Sequence, residues 1–370
     1  MYRTYLPRTP QVGISNFRLC SQHLNTVMPR SSSRPPSLLS RRAAACAAAA
    51  LCLPSSPPGL AWLPSIAPPL SPRLDAATLT PLAALGVASD PGELRYPSWL
   101  KGTWRVRNSI SGFSMPLGKV FVDDFLRASA IEDVDAAVPL TYTLSFVDAP
   151  PPPSEPALSV AQDRRFNAVE ETAAFCSTDG LVVTSGRYDV TATHPHGLIL
   201  LEVGDADPRK GGGGAVGSRK DSATRGATAQ IEIDIVWAAW DAAASKGAFV
   251  TSELAVQRTT LPADEYFDQP AVDTSYLEII TRFERPTTSP VLTQPGSSRS
   301  TSTATTTTVR ARNRLVQYLT LPGVPSGVES RERAAKLARL ADGRAVSFFD
   351  YDWVMEKVTD DQGLGSGFPV

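Results

Sequence analysis

No aspartate or glutamate occurs before Asp75 and no lysine before Lys101 in this 370-residue chain. The same acid-free stretch carries eight arginines: Arg3, Arg8, Arg18, Arg30, Arg34, Arg41, Arg42 and Arg73. A leader that is Arg- and Ser-rich but lacks acids has the composition of an organelle import segment. Cysteine is almost as scarce. Cys20, Cys46 and Cys52 lie in the leader, so Cys176 alone remains beyond it, which excludes an internal disulfide there. With three histidines in the whole chain and no C-x-x-C, no metal-ligand spacing is present, and no metal or cofactor is expected. A long apolar run is also missing. Ala43–Leu53 is eleven residues, which as a helix would span only about half of a ~30 Å hydrocarbon core. That excludes a membrane anchor and fits the apolar region of a signal peptide. Arg41 and Arg42 precede it as a twin-arginine pair, and Gly59-Leu60-Ala61 follows as a small-residue cleavage site. Residues 1–61 are therefore expected to be a bipartite targeting peptide, with delivery to a chloroplast and its thylakoid lumen.

Charge excludes further classes. The chain is −1 overall and the leader is +8, so residues 75–370 carry −9. An acidic body without a basic block does not fit nucleic acid. No transmembrane segment is expected past the leader. Gly-x-Ser-x-Gly, P-loop and Gly-x-Gly-x-x-Gly motifs are all lacking, and no catalytic residues are assigned. Gly211–Gly214 follows Arg209-Lys210, not a strand, and reads as linker. His194-Pro195-His196 reads as a turn before a strand.

What is present is period-2 alternation. Trp104, Val106, Asn108 and Ile110 share one face, as do Tyr142, Leu144 and Phe146. Ile231, Ile233, Ile235 and Trp237 alternate with Glu232 and Asp234. Further runs over 181–188, 197–203, 249–256, 276–283, 309–319 and 346–358 give eight to ten strands with few helices between them. The spacing predicts helices only over Ala161–Phe175 and Glu329–Leu340. The expected fold is all-β, an antiparallel meander closing into a barrel. A linker is expected over 62–94, the barrel over 95–358 and a flexible tail over 359–370. Disordered insertions are expected at 149–160, 205–229 and 286–308, where Pro, Gly or Thr/Ser dominate. Folding the chain about 286–308 sets Arg310, Arg312 and Arg314 on one face beside Arg282 and Glu278, with Leu277, Ile279 and Phe283 on the other. The arginine face reads as a solvated outer surface with cross-strand ion pairs.

The opening Tyr96-Pro97-Ser98-Trp99-Leu100-Lys101-Gly102-Thr103-Trp104 contains a Gly-x-Trp. It resembles the start of lipocalin-like barrels, in which the Trp plugs the closed end. With Phe113-Ser114-Met115-Pro116-Leu117-Gly118 and Asp163-Arg164-Arg165-Phe166-Asn167, the chain is similar to an uncharacterised plastid and cyanobacterial family known only as a domain of unknown function. The resemblance implies a barrel and a location, and it carries no assigned activity. On this reading Gly102 and Trp104 form the barrel plug, with Arg165 or Arg314 over the Trp104 ring. Arg165, Asn167 and Tyr351 are the candidate ligand-binding residues. Two functions follow: an accessory or assembly factor whose partners are photosynthetic membrane-complex subunits, or a barrel for a small apolar ligand such as a pigment, tetrapyrrole or lipid. A lipocalin-type enzyme acting on a carotenoid or oxylipin ranks behind both.

Overall fold

The computed structural model describes residues 69–85, 93–152, 155, 157–177, 181–205, 227–241, 247–261, 271–290, 305–319 and 332–358. The expected targeting peptide, the tail 359–370 and most of the insertion 205–229 lie outside these residues. Among the described residues there are eleven strands where eight to ten were expected. In chain order they are β1 (Gly102–Ser114), β2 (Leu140–Asp148), β3 (Val160–Gln162), β4 (Leu181–Asp189), β5 (Leu198–Asp205), β6 (Ala227–Asp241), β7 (Ala248–Leu261), β8 (Ala271–Glu284), β9 (Thr287–Pro290), β10 (Thr305–Tyr318) and β11 (Ser347–Lys357). Three helices interrupt them: α1 (Asp124–Ala136), α2 (Arg164–Ser177) and α3 (Glu332–Ala341).

All the strands pair antiparallel in one curled half-barrel sheet, in the order β3-β2-β1-β11-β10-β8-β7-β6-β5-β4, with β9 added on β10. Reading the ring through β11 and β1, nearly every strand lies beside its neighbour in sequence. The exception is β3 and β4, which form the two free edges. The chain between them is α2, and it packs on β2 at one edge and on β4 and β5 at the other. The ring is thus bridged by a helix and not by a hydrogen-bond ladder.

Helix α2 meets the β2 edge with side chains that imitate a strand. Asn167 Oδ1 accepts from the Ser145 backbone N–H at 2.7 Å, and its Nδ2 donates to the Ser145 carbonyl at 3.1 Å. One turn on, Glu170 accepts from the Thr143 backbone N–H. The helix is capped by Asp163, whose Oδ1 accepts from the Phe166 N–H at 3.0 Å. An amide and a carboxyl three residues apart therefore satisfy the Ser145 and Thr143 N–H groups at alternate edge positions. At the other edge Gly186 admits Val169: a Cβ there would lie 2.5 Å from Val169 Cγ2.

The strand register sorts side chains onto two faces. Inward, Trp104 and Val106 of β1 lie opposite Leu144 and Tyr142 of β2, and Phe283 of β8 lies opposite Phe249 and Ala311. These residues share one core with Tyr96 and Met355. A second inward cluster joins Phe175 and Cys176 of α2 to Ile199, Leu201 and Ile231. At the remaining end Val122 and, from α1, Leu126 and Ala130 pack against Leu315 and Phe349.

The outer face departs from expectation. Residues 69–85, read as linker, form a strap of two short 3-10 turns whose Leu70, Leu74, Leu79 and Leu82 are buried against Leu254, Tyr276, Ile280 and Val316. The Leu residues repeat irregularly, so no helical or strand period announces them. The arginine face of β10 is covered at Arg314 and stays exposed at Arg310 and Arg312. Arg73 of the strap donates from Nη2 to both oxygens of Glu278 at 2.7 Å, and Glu278 is 0 % exposed. Ser252 and Tyr318 hydroxyls donate to the same carboxylate at 2.7 and 2.5 Å. Arg314 pairs with Asp350 at 2.7 Å and donates to the Ala76 carbonyl at 2.8 Å, while Arg312 reaches Asp75 at 3.0 Å.

Three further corrections have local causes. A bulge between Ile235 and Trp237 turns Trp237 outward to the strap, away from the face of Ile231, Ile233 and Ile235. The insertion 286–308 is not wholly irregular: Thr287–Pro290 pairs with Thr305–Thr308, because a run of β-branched Thr has strand propensity whatever its complexity. Helix α1 was not anticipated, although Asp123 caps it by accepting from the Leu126 N–H at 3.3 Å.

Candidate binding site inside the sheet

Four inward positions converge midway along β1, β2, β10 and β11. Asn108 lies opposite Trp353 of β11 and Leu140 of β2, while Tyr351 lies opposite Ile110 and Asn313. Val106 sets Tyr142 one pair away. The Tyr142 and Trp353 rings meet edge to face with centroids 6.5 Å apart. Asn108 Nδ2 donates to the Tyr142 hydroxyl at 3.4 Å, and Asn313 Nδ2 donates to Thr281 Oγ1 at 2.8 Å.

This interior is polar and incompletely satisfied. Tyr351 is 7 % exposed and Asn108 is 5 % exposed. The Tyr351 hydroxyl, Asn108 Oδ1 and Trp353 Nε1 are all buried atoms with no hydrogen-bond partner. Leaving such a group unpaired costs roughly 1–3 kcal/mol each. From α2, Glu171 adds a half-buried carboxyl. Burial pushes it up to about 7, and burial is the sole cause. Burial also raises the Tyr142 and Tyr351 hydroxyls well above the ordinary phenol value, and Glu171 adds to both. Asp133 of α1 acts on Tyr351 more strongly than Glu171 does. A phenol pair, an amide oxygen, an indole N–H and a carboxyl thus lie near one another on the inner side of the sheet.

Positive charge facing the interior is already engaged. Arg164, at the start of α2, is buried and donates from Nη1 and Nη2 to the two Glu253 oxygens at 3.3 and 2.5 Å. Burial opposes its charge, but Glu253, with Tyr96 and Tyr188 added, outweighs that and drives the guanidinium pKa up. Tyr96 lies close by, its hydroxyl raised by burial first and by Glu253 second.

The residues singled out in sequence are placed as follows. Trp104 is fully buried, its Nε1 donating to the Leu100 carbonyl at 2.6 Å, and the cation over its ring is Lys357, 5.6 Å from the centroid. Gly102 has φ +110°, and a Cβ there would lie 3.2 Å from the Lys357 stem. Arg165 is exposed; its neighbour Arg164 is the arginine that turns inward. Arg314 sits on the outer face over Phe348, 4.8 Å from the ring centroid, so neither arginine packs on Trp104. Asn167 holds the β2 edge and does not reach the polar cluster. Tyr351 lies within it. Arg41 and Arg42 fall outside the described residues. His194 Nδ1 pairs with Asp234 at 2.8 Å in the turn before β5.

Asn108, Glu171 and Trp353 escaped the sequence reading. The signal for Asn108 was available, since it is the one polar residue on the inward phase Trp104, Val106, Asn108, Ile110. Glu171 gave none, because a glutamate on a helix ordinarily marks the solvated side.

Residues 88–206 match the family described as Domain of unknown function (DUF6816). No curated protein and no solved structure matches the chain significantly. The matched stretch runs from just before β1 through β5, so it contains α2, the edge-capping Asn167 and the Asn108, Tyr142 and Glu171 corner of the cluster.

Proposed function

We propose that this protein binds a small ligand inside its curled sheet, at the cluster of Asn108, Tyr142, Glu171, Tyr351 and Trp353. The observation that carries the reading is the pair of unpartnered polar atoms on side chains more than nine-tenths buried, Tyr351 Oη and Asn108 Oδ1, facing a common interior. A packed, purely structural core satisfies such groups, whereas a binding interior reserves them for an occupant. The meander and the Gly102-x-Trp104 opening agree with a lipocalin-like carrier. The expected apolar ligand becomes an amphipathic one, since the lining is aromatic with convergent polar groups.

The chloroplast and thylakoid-lumen setting belongs to the same proposal and rests on the acid-free leader with its Arg41-Arg42 pair. An accessory role toward photosynthetic complexes rests on that setting alone. The test is native mass spectrometry of protein purified from the source organism. A mass excess that disappears on denaturation supports a bound small molecule. Bare protein whose Tyr351→Phe and Asn108→Leu variants are both more stable than wild type, with no response to any added amphiphile, refutes it.

A further inference from the structure

We infer that helix α2 is a hinged flap, fixed along its N-terminal half, whose C-terminal half lifts from β4 and β5 to admit the ligand. The inference rests on the binding reading above and names the route to that site. Its first ground is topology. Among the described residues each strand from β3 round to β4 is joined to the next by a ladder, and the ring lacks a ladder only between β3 and β4, where α2 lies. Opening the ring elsewhere breaks a row of backbone hydrogen bonds, whereas opening it here parts side chains.

The second ground is how unevenly the helix is fastened. Its N-terminal half is held by polar contacts. Arg164 pairs with Glu253 of β7, Asn167 makes two hydrogen bonds to Ser145, and Glu170 accepts one from Thr143. The C-terminal half rests on the sheet through apolar side chains, with Phe175 and Cys176 in one cluster with Val183, Ile199 and Leu201. The third ground is what lies beneath that half. Leu140, set opposite Asn108 by the register, packs into the same cluster, and Glu171 bears on the Tyr142 and Tyr351 hydroxyls. Lifting the C-terminal half therefore uncovers the polar interior and withdraws Glu171 from it, while Asn167 still caps the β2 edge.

The experiment has two readouts on the full chain. Cys176 is 0 % exposed, so iodoacetamide reaches it only when the flap lifts or the whole chain unfolds. Peptide mass mapping separates it from Cys20, Cys46 and Cys52. Below the unfolding transition its labelling rate should rise with urea less than about half as steeply as global unfolding requires, and an equal slope overturns the inference. The second readout is exchange of dodecanol, followed by stopped-flow tryptophan fluorescence. A Cβ at Gly186 would lie 4.0 Å from Val169 Cβ, within the span of a disulfide. Val169→Cys/Gly186→Cys, with Cys176→Ser to prevent mispairing and the bond verified by peptide mapping, should exchange dodecanol about tenfold or more slowly when oxidised and recover on reduction. Equal rates in the two redox states overturn the inference while the interior site stands. If the locked variant does not fold, the Cys176 labelling slope decides. If dodecanol binds neither wild type nor variant, the interior site and its entrance fall together.

Discussion

Removing Arg73 should cost more than its place in an apparent leader suggests. Its guanidinium lies beside Glu278, which is fully buried between Ser252, Tyr318 and the strap. Arg73→Met keeps the apolar stem but strands the carboxylate on two hydroxyl donors. Deleting one partner of a buried pair costs about 3–5 kcal/mol. The lost bond to the Thr80 carbonyl adds about 1 kcal/mol. Against a typical total of about 5–15 kcal/mol, the variant should be marginal. Glu278→Leu strands the arginine instead and should cost a similar amount. The double variant removes both charges, so its main residual penalty is two unpaired hydroxyls, roughly 1–3 kcal/mol each. Its cost should therefore fall short of the summed single costs by at least about 2 kcal/mol. Urea unfolding of the full-length proteins, followed by fluorescence and far-ultraviolet circular dichroism, measures all four species. Strict additivity, or an Arg73→Met loss below about 1 kcal/mol, would show that the strap is not seated on the sheet in solution and that the Glu278 environment is wrongly described.

Trp104→Ala should cost about 3–5 kcal/mol, as large-to-small changes in a core do, and more than the half-buried Trp99→Ala; a milder Trp104 variant in chemical denaturation would refute the plug. Glu171 is raised in the fold from 4.5 to about 7, so the native state holds the extra proton and the stability that proton brings is lost as pH rises from about 4.5 to 7. Glu171→Gln should hence gain on wild type across that window, by at most about 3 kcal/mol, and parallel stability curves would rule the environment out. Asn167→Ala leaves the Ser145 N–H unpaired, while its carbonyl keeps the Asp163 N–H, and should loosen the seam, seen as faster hydrogen exchange in β2 at little change elsewhere; uniform exchange across the sheet would contradict the helix's role as an edge cap. N-terminal sequencing of the native protein should start near residue 62, and an intact Met1 would remove the import reading.

The strands were legible because an antiparallel sheet with one buried face writes its pattern at period two. The β1 phase Trp104, Val106, Asn108 and Ile110 and the β8–β10 register about Arg282 and Arg312 both came through. The failures share a cause, which is that tertiary context overrode the local pattern. The bulge before Trp237 has no mark in the alternation. The strap carries leucines at irregular intervals, and the Thr tract of β9 and β10 reads as low complexity until a partner strand is known. The site was legible at Tyr351 alone; Asn108 also breaks an apolar phase, but as a single polar residue on a strand it was passed over. Choosing Arg165 over Arg164 shows how narrow the margin is, because one residue on a helix is a turn of about 100° and decides between solvent and interior.

The adjacency of β1 and β11 also bears on how the molecule is made. These strands stand at opposite ends of the described chain, yet they are hydrogen-bonded neighbours at the middle of the sheet order. During synthesis β1 leaves the ribosome early and finds only β2 to pair with, since its second partner is among the last segments to emerge. Ladder formation between β1 and β11 requires closing the longest loop of any strand pair in the sheet, the kind of contact that slows folding most. Until then Trp104 and Val106 have no roof, so a nascent or truncated chain presents a sticky hairpin, a natural target for chaperone capture.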